Sequence, residues 1–284
     1  VAQQYGVGGL TVDGHDDWVH GYGDATYGDA FADVYDEWYS DLAEGEACVE
    51  LLAQMADQAS MVAGGCQVLE LGVGTGRLAI PLAARLAGLA GMEGLAGGAQ
   101  VHGIDASAPM LAQMAAKRGG AAVRGHLGDM AGDLPEGPFT LVFAAYNTLF
   151  NLPDEQRQAA CIAAVAHRLV PGGRLVVEAF VPADDTPGGA TDTVRVRTLA
   201  ADRVVLAVSR TDPTAQRVEG QYVEFTAAGG VRLRPWSVRW ATPGQLDAMA
   251  AAAGLTRESR WGGWSGQPFA ADSARHVSVY LRPM

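Results

Sequence analysis

The stretch Gln67-Val68-Leu69-Glu70-Leu71-Gly72-Val73-Gly74-Thr75-Gly76-Arg77 decides how the rest of the chain is read. Its first five residues form a short apolar strand, and three alternating glycines make a turn. Arg77 to Ala87 then carries helical spacing and tolerates Pro81 in its early part. A strand that runs through a glycine-rich turn into a helix suits a nucleotide, because glycine admits positive φ and lets a ligand approach the backbone. The turn alone is compatible with a dinucleotide, with another nucleotide, or with a tight structural turn.

Outward from this stretch, strands and helices alternate. Strands are expected at Val101–Ile104, Val123–Leu127, Phe139–Ala145 and Arg174–Phe180, and helices at Pro109–Arg118 and Asp154–Leu169. Pro171-Gly172-Gly173 should stop the second of these helices. The fourth strand, Phe139–Ala145, is apolar throughout and so belongs inside a sheet covered on both faces. This rhythm means βαβ units and a parallel sheet. After Val181 the rhythm changes. A Pro/Asp/Gly linker, Pro182 to Thr191, leads into four β-like runs with no helix between them: Thr193–Thr198, Arg203–Arg210, Arg217–Thr226 and Val231–Trp240. These form an antiparallel meander. Thr242 then caps a helix that starts at Pro243 and is stopped by Gly254, and two strands follow, Thr256–Trp261 and His276–Arg282.

The chain thus divides into a leader with helices (1–62), an α/β core (63–182), an antiparallel β cap (183–241) and a segment completing the core (242–284). The leader crowds His15, Trp18, His20, Tyr22, Tyr27, Phe31, Tyr35, Trp38 and Tyr39 together. Its glycines argue against a regular element before Asp29. From Ala30 the aromatic residues recur at helical spacing, and a second amphipathic helix is expected over Glu46–Met61. The aromatic helix either packs on the core or covers a pocket as a lid that excludes water.

Bulk properties narrow the function. A net charge of -12 repels phosphate backbones and anionic membranes. A small-molecule substrate is then the partner to expect, and a homodimer the one assembly kept open. Cys48, Cys66 and Cys161 are sparse and unpaired in spacing, which reads as buried thiols in a reducing cytoplasm. No basic region precedes an apolar run at the N-terminus, so a signal peptide is not expected, and no clean bilayer-spanning helix is visible.

Three features sharpen the glycine turn. Asp105 ends the second strand, where a carboxylate can accept hydrogen bonds from both ribose hydroxyls. Gly128-Asp129-Met130 follows the third strand, where Asp129 can accept from an adenine amino group and Met130 can pack on the ring. Tyr146-Asn147-Thr148 emerges at the carboxyl end of the middle strand, the edge at which open α/β sheets bind ligands.

The segments Val68–Ala83, His102–Leu111, His126–Met130 and Arg168–Phe180 together resemble class I S-adenosylmethionine (SAM)-dependent methyltransferases, in the family's order. The resemblance implies a Rossmann-like seven-stranded sheet of order 3-2-1-4-5-7-6 with strand 7 antiparallel. It places Glu70, Gly72, Gly74 and Gly76 at the methionine moiety, Asp105 at the ribose, and Asp129 with Met130 at the adenine. Ala106, Met110 and Ala145 join the cofactor contacts. The longer gap between Gly76 and Asp105, filled by an Ala/Gly-rich stretch, departs from the usual pattern. Phe31–Leu42, the meander and Trp236–Leu255 are similar to enzymes that N-methylate small molecules, including antibiotic aminosugar N,N-dimethyltransferases and glycine N-methyltransferase. In those enzymes the inserted strands form a cap and a Tyr-containing helix closes the pocket, which makes Tyr35 and Tyr39 candidates for contact with the SAM carboxylate or the acceptor.

Methyl transfer from a sulfonium needs alignment and water exclusion more than a base. Tyr146 and Asn147 are the candidates for orienting the reactants, or else simply form the loop. Tyr22, Tyr27, Trp38, Arg232, Trp236 and Trp264 are the candidate substrate contacts. Alternation puts Arg232, Arg234 and Trp236 on one face, either toward the cleft or on a solvated sheet face. His126 reads as structural, and His167 as a surface residue. No cluster has metal-ligand spacing, so no metal is expected. The expected activity is SAM-dependent methylation of a small molecule, N-directed before O- or C-directed. A non-methylating cyclase or decarboxylase on the same fold is the alternative. An NAD(P)-dependent oxidoreductase would leave Gly128-Asp129-Met130 and Pro171-Gly172-Gly173 unexplained.

Overall fold

The computed structural model describes residues 21–39, 42–90, 98–182 and 189–284. His15, Trp18 and His20 and most of the Pro/Asp/Gly linker lie outside them.

The central sheet follows from the alternation seen in the sequence. Its strands are β1 (Cys66–Leu71), β2 (Ala99–Asp105), β3 (Val123–Leu127), β4 (Phe139–Ala144), β5 (Leu169–Phe180), β10 (Thr256–Trp261) and β11 (Arg275–Leu281). They lie in the order β3-β2-β1-β4-β5-β11-β10. The first five are parallel, and β11 runs antiparallel to both β5 and β10. Leaving out the cap, this is the expected 3-2-1-4-5-7-6. All six residues of β4 are buried, as an unbroken apolar strand at the centre of a doubly covered sheet must be.

Helices cover both faces. Leu69, Leu71, Val142 and Val177 pack beneath α6 (Glu155–Arg168) and α7 (Pro243–Ala252) through Cys161, Ile162, Val165 and Leu246. Val68, Leu141, Phe143 and Val176 pack beneath α3 (Leu42–Ala63) and α4 (Ala79–Ala90) through Cys48, Leu52, Met55 and Leu82. Each such side chain removed from water contributes about 1.5–3 kcal/mol. Cys66 is buried like the other two thiols. Caps fix where helices start. The Ser107 hydroxyl accepts from the Met110 N–H at α5 (Ala108–Ala116), and Asp154 accepts from Arg157 at α6. At α7, Thr242 and Gln245 form a reciprocal box. Among the described residues no helix is long and apolar enough to cross a membrane.

Two local expectations are corrected. Pro171-Gly172-Gly173 does not terminate a helix. Helix α6 has ended at Arg168, and the tripeptide lies inside β5, where the Gly172 N–H donates to Arg282 O and the Arg282 N–H to Gly173 O. The single aromatic helix expected from Ala30 is instead two short ones, α1 (Thr26–Phe31) and α2 (Tyr35–Trp38). The helix begins before Asp29 because Gly28 serves close packing. A Cβ there would sit 2.3 Å from the Ser107 Cβ.

The meander is a separate antiparallel sheet of order β6-β7-β8-β9. Its strands are β6 (Thr191–Leu199), β7 (Arg203–Asp212), β8 (Arg217–Thr226) and β9 (Val231–Arg239). Helix α1 packs between β9 and α5, so the lid is wedged between cap and core.

Candidate functional site

A cavity of about 340 Å³ opens at the carboxyl ends of β1, β2 and β4, roofed by the lid helices and the cap. Its floor is the glycine turn. All three glycines have positive φ, for different reasons. A Cβ on Gly72 would lie 2.4 Å from Thr148, and one on Gly76 2.6 Å from Met114, so these two are demanded by packing. Around Gly74 nothing lies closer than 4.0 Å, so there the backbone is open to the cavity. Its N–H donates to Asp105 Oδ2 at 2.8 Å, and the Ser107 N–H donates to Oδ1 at 2.9 Å. Burial raises the Asp105 carboxyl above its usual range, with Asp29 adding to it and the two N–H groups opposing. A carboxylate has about four acceptor positions, so each Asp105 oxygen keeps one for a ligand hydroxyl.

Asp129 and Met130 line the same cavity one strand over. Asp129 Oδ1 accepts from the Ala131 N–H at 3.0 Å, and Oδ2 pairs with Arg157. Ala106, Met110, Tyr35, Tyr39, Tyr22, Tyr27, Tyr146, Asn147 and Trp236 are also in the wall.

Tyr146 and Asn147 occupy the left-handed region at φ 52° and 63°. Two consecutive non-glycine residues there store strain, which the surrounding structure must hold. Glu178 and β5 do so. The Tyr146 N–H donates to Glu178 Oε2 at 2.7 Å, and the Phe180 N–H to Asn147 Oδ1 at 2.7 Å. The turn thereby brings the Tyr146 ring beneath Arg77, whose guanidinium carbon lies 4.2 Å from the ring centroid.

The lid is fastened on two sides. Toward the core, the Ser107 hydroxyl donates to Asp29 at 2.7 Å, and Asp36 accepts from Thr75 and Lys117, both at 2.6 Å. Toward the cap, Asp33 pairs with Arg234 at 2.6 Å and Arg232 at 2.7 Å, and Glu37 with Arg203 at 2.6 Å.

Several expected contacts lie elsewhere. Glu70 is behind the turn, outside the cavity wall. Burial holds its carboxyl well above the usual range, and one of its oxygens has no partner. Gly76 and Ala145 are likewise behind the wall. Arg232 and Arg234 do share a face, but it meets the lid, and their charges are consumed by Asp33 and Glu224. Trp38 is packed between Phe31 and Tyr222. Trp264 is 4% exposed within the core cluster under α3, on the far side of the sheet from the cap. His126 is a structural residue paired with His102 at 3.0 Å.

Arg77 was not anticipated. It lines the cavity, lies 5.7 Å from the Tyr35 centroid, and donates to the Tyr39 carbonyl, while its buried Nε has no partner. The signal was present in the sequence. A cation at the start of a helix opposes the helix dipole, so some other interaction must recompense it. Asp24, Gly28, Thr148, Asn151, Leu152 and Val238 are further lining residues that no local pattern marked.

Such a wall fits SAM. It offers a carboxylate with free acceptor positions at the end of β2, an open glycine beside it, and an arginine among tyrosines. Among the described residues no group of histidine, cysteine and carboxylate side chains could hold a metal ion.

Comparison with known proteins agrees with this geometry. Residues 68–173 match the family model of a methyltransferase domain. The CcbJ methyltransferase of Streptomyces caelestis is 38% identical and superposes with a TM-score of 0.78, over 93% of this chain and 100% of that one. The cypemycin N-terminal methyltransferase of a Streptomyces species is 28% identical over 77% of this chain and 84% of its own length. The sugar N-methyltransferase KedS8 of Streptoalloteichus, at 22% identity and a TM-score of 0.64 over 99% of this chain and 100% of its own, shares the fold. The chain belongs to the SAM-dependent methyltransferases and is an enzyme of that family that uses SAM as its methyl donor.

Proposed function

We propose that the enzyme methylates an amino nitrogen of a small natural-product molecule held beneath the lid. The observation that carries this reading is the makeup of the cavity beyond Asp105 and Asp129. Tyr22, Tyr27 and Trp236 line it together with Asp24, the one further carboxylate in the wall. Aromatic faces beside a carboxylate attract a cation, and an amine acceptor is cationic until it loses a proton. The described lining residues include no histidine or cysteine, the side chains that most often activate a hydroxyl or act as nucleophile. The name of the cypemycin N-terminal methyltransferase supports a nitrogen acceptor.

In this reading Asp105 takes the ribose hydroxyls, Asp129 and Met130 the adenine, and Arg77 the methionine carboxylate. SAM, when bound, supplies a sulfonium whose methyl group an amine lone pair can attack directly. The protein's part is to align and to exclude water. Tyr35 and Tyr39 close the methionine end, and the Tyr146-Asn147 turn fixes the boundary between donor and acceptor.

Two measurements test this. Calorimetric titration of Asp105→Ala should show SAM binding weakened roughly 10- to 100-fold, the effect of losing hydrogen bonds to a charged acceptor at about 1.5–3 kcal/mol. Unaltered affinity would refute the site assignment. S-adenosylhomocysteine release should be followed with aminosugars, amino acids and peptides offered against phenols and catechols. Turnover confined to the hydroxyl acceptors would refute the nitrogen assignment.

A further inference from the structure

We infer that Arg157 sets two carboxylates at the adenine end of the cavity, turning Asp129 toward the base and holding Asp24 of the lid beside it. Arg157 stands outside the cavity wall, so it acts through its partners, as a positioning residue. Its guanidinium pairs with Asp129 Oδ2 and reaches Asp24 Oδ2 at 3.9 Å. The inference rests on the proposed placement of adenine at Asp129.

The sequence puts a cation where a helix disfavours one. Arg157 is the third residue of α6, in the turn where the helix dipole favours negative charge. Asp154 caps that turn by accepting from the Arg157 N–H at 2.7 Å. The side chain is compensated by acids. The Asp129 hydrogen bond first, and then the charges of Asp129, Asp24 and Asp154, raise the guanidinium above its usual range against the cost of burial. The turn itself is firmly mounted. Gln158, fully buried, accepts from Arg239 at 2.9 Å, and Glu155 pairs with the same arginine at 2.9 Å. The first turn of α6 therefore cannot shift without moving the end of β9, and Arg157 offers its fork from a fixed point.

The two arms of the fork differ. The Asp129 side chain is 17% exposed, and each of its oxygens is held by one donor, Oδ1 by the Ala131 N–H and Oδ2 by Arg157. Its own N–H donates to Asp133 Oδ2 at 3.0 Å. Two donors fix the plane of the carboxylate and leave each oxygen an acceptor position. An ionised carboxylate only accepts, so Asp129 held in this plane admits a 6-amino group and turns away a 6-oxo group. Without Arg157 the plane is free to rotate. Asp24 is 53% exposed and its contact is long, so this arm is the weaker and is easily remade. Asp24 and Asp129 both line the cavity and also a neighbouring recess bounded by Ala25, Pro109 and Leu127. Arg157 ties the two carboxylates across the boundary between these hollows.

Calorimetric titration with S-adenosylhomocysteine and with its 6-oxo counterpart, S-inosylhomocysteine, tests the first arm. The two ligands carry the same charge, so the ratio of their affinities does not respond to the loss of a cation as such. The parent should prefer the 6-amino ligand by about 100-fold, the upper range for a hydrogen bond to a charged acceptor. Arg157→Gln should cut that preference about tenfold, and Arg157→Lys should recover part of it. Hydrogen exchange in the S-adenosylhomocysteine complex tests the second arm. Amides of residues 21–31 should exchange faster in Arg157→Gln and in Asp24→Asn, and no faster in the double variant than in either single one, while those of 42–63 stay at the parent's rate. Should Arg157→Gln fail to fold, Arg157→Lys takes its place, with the same changes at smaller amplitude. A preference for the 6-amino ligand equal to the parent's in the folded variant overturns the inference, as do unchanged lid exchange and additive effects of the two substitutions. Asp129→Asn separates this failure from a failure of the adenine placement. A preference that survives Asp129→Asn puts adenine elsewhere, and the inference falls with that placement. A preference lost in Asp129→Asn but kept in Arg157→Gln rejects the role of Arg157 alone. Neither measurement uses an acceptor, so the nitrogen assignment stands or falls separately.

Discussion

The two ends of the cavity are built by different means. At the end proposed for the cofactor, Asp105 is held by backbone N–H groups of Gly74 and Ser107, both within or beside motifs a dozen residues long. At the end proposed for the acceptor, the roof is held by side chains far apart in sequence. Asp33 meets Arg232 and Arg234 across separations of 199 and 201 residues, and Arg203 meets Glu37 across 166. Backbone amides on strand ends cannot be rearranged without moving the sheet, whereas ion pairs between a lid and a cap can be remade with each change in either partner. The donor end is thus fixed by the fold, and the acceptor end is where one family can vary its substrate.

The sharpest way to break this division is Arg234→Met. Arg234 is 1% exposed and bonds both Asp33 and Glu224. Its loss strands the Glu224 carboxylate, with only the more distant Arg203 at 3.7 Å. Removing one member of a buried pair costs about 3–5 kcal/mol. Asp33, held below its usual range first by the Arg234 hydrogen bond, should titrate higher. Chemical denaturation should show the loss of stability, and acceptor KM should rise several-fold, while calorimetry shows SAM affinity within about threefold of the parent. A parallel collapse of SAM affinity would mean that the two ends act as one unit.

The same division explains what the sequence disclosed. The strands themselves, the turn at Gly72–Gly76 and the position of Asp105 were legible because each depends on a local pattern: apolar runs, alternating glycines, a carboxylate at a strand end, whereas the order of the seven strands came from the family resemblance. The cap's four strands were legible from alternation. What alternation could not say was which face met the lid. It left Arg232 and Arg234 either in the cleft or in water, and the structure puts them against acids contributed from 200 residues away. Trp264 was misplaced for a similar reason, since an aromatic next to two glycines reads as a pocket wall until the strand beside it is known to enter the core. Pro171-Gly172-Gly173 carried a strong helix-stop signal, overridden by pairing with the C-terminal strand at Arg282. Gly28 read as a breaker, although its missing side chain is what lets α1 touch Ser107.

Gly28 gives a second, smaller test. In Gly28→Ala the new methyl would meet Ser107 Cβ at 2.3 Å and Met110 Cγ at 3.2 Å. The lid must lift or α5 must shift, at about 1–3 kcal/mol. Ser107 also donates to Asp29 through its hydroxyl and to Asp105 through its backbone N–H, so lifting the lid disturbs a residue shared by the lid and the proposed ribose site. SAM affinity should fall about 5- to 10-fold, with lid tryptophan fluorescence shifted toward the solvent-exposed value. Gly23→Ala is the control, since its nearest neighbour is the Thr26 hydroxyl at 3.9 Å, and it should change stability by less than about 0.5 kcal/mol. Equal effects at both positions would show that backbone freedom, and not contact with Ser107, is what the lid requires.

The smallest expected effect lies beneath the cofactor end and should leave the lid untouched. His102 Nδ1 and His126 Nε2 are 3.0 Å apart, with parallel rings stacked at 5.2 Å. Burial, followed by the repulsion of His126 and Arg124, lowers His102 to about 4, and burial with Arg124 lowers His126. Phe139, edge-on to His102, offers no compensating charge. Both histidines are therefore neutral in the folded protein at pH values where the unfolded chain begins to protonate them. The unfolded state binds more protons below about pH 6.5, so stability declines as pH falls from there toward about 4 and levels off below it. His126→Gln keeps a hydrogen-bonding amide near His102 Nδ1 and removes both the second proton site and the repulsion. The thermal midpoint of that variant should fall less steeply with pH between 6.5 and 4 than the parent's, with SAM affinity at pH 7.5 unchanged. An unaltered slope would transfer the acid sensitivity to His276, which burial also lowers to about 4, between Arg260 and Asp247 at the opposite edge of the sheet. The donor end would then owe its rigidity to the sheet alone, with no proton-linked contribution from the strands that lead to Asp105 and Asp129.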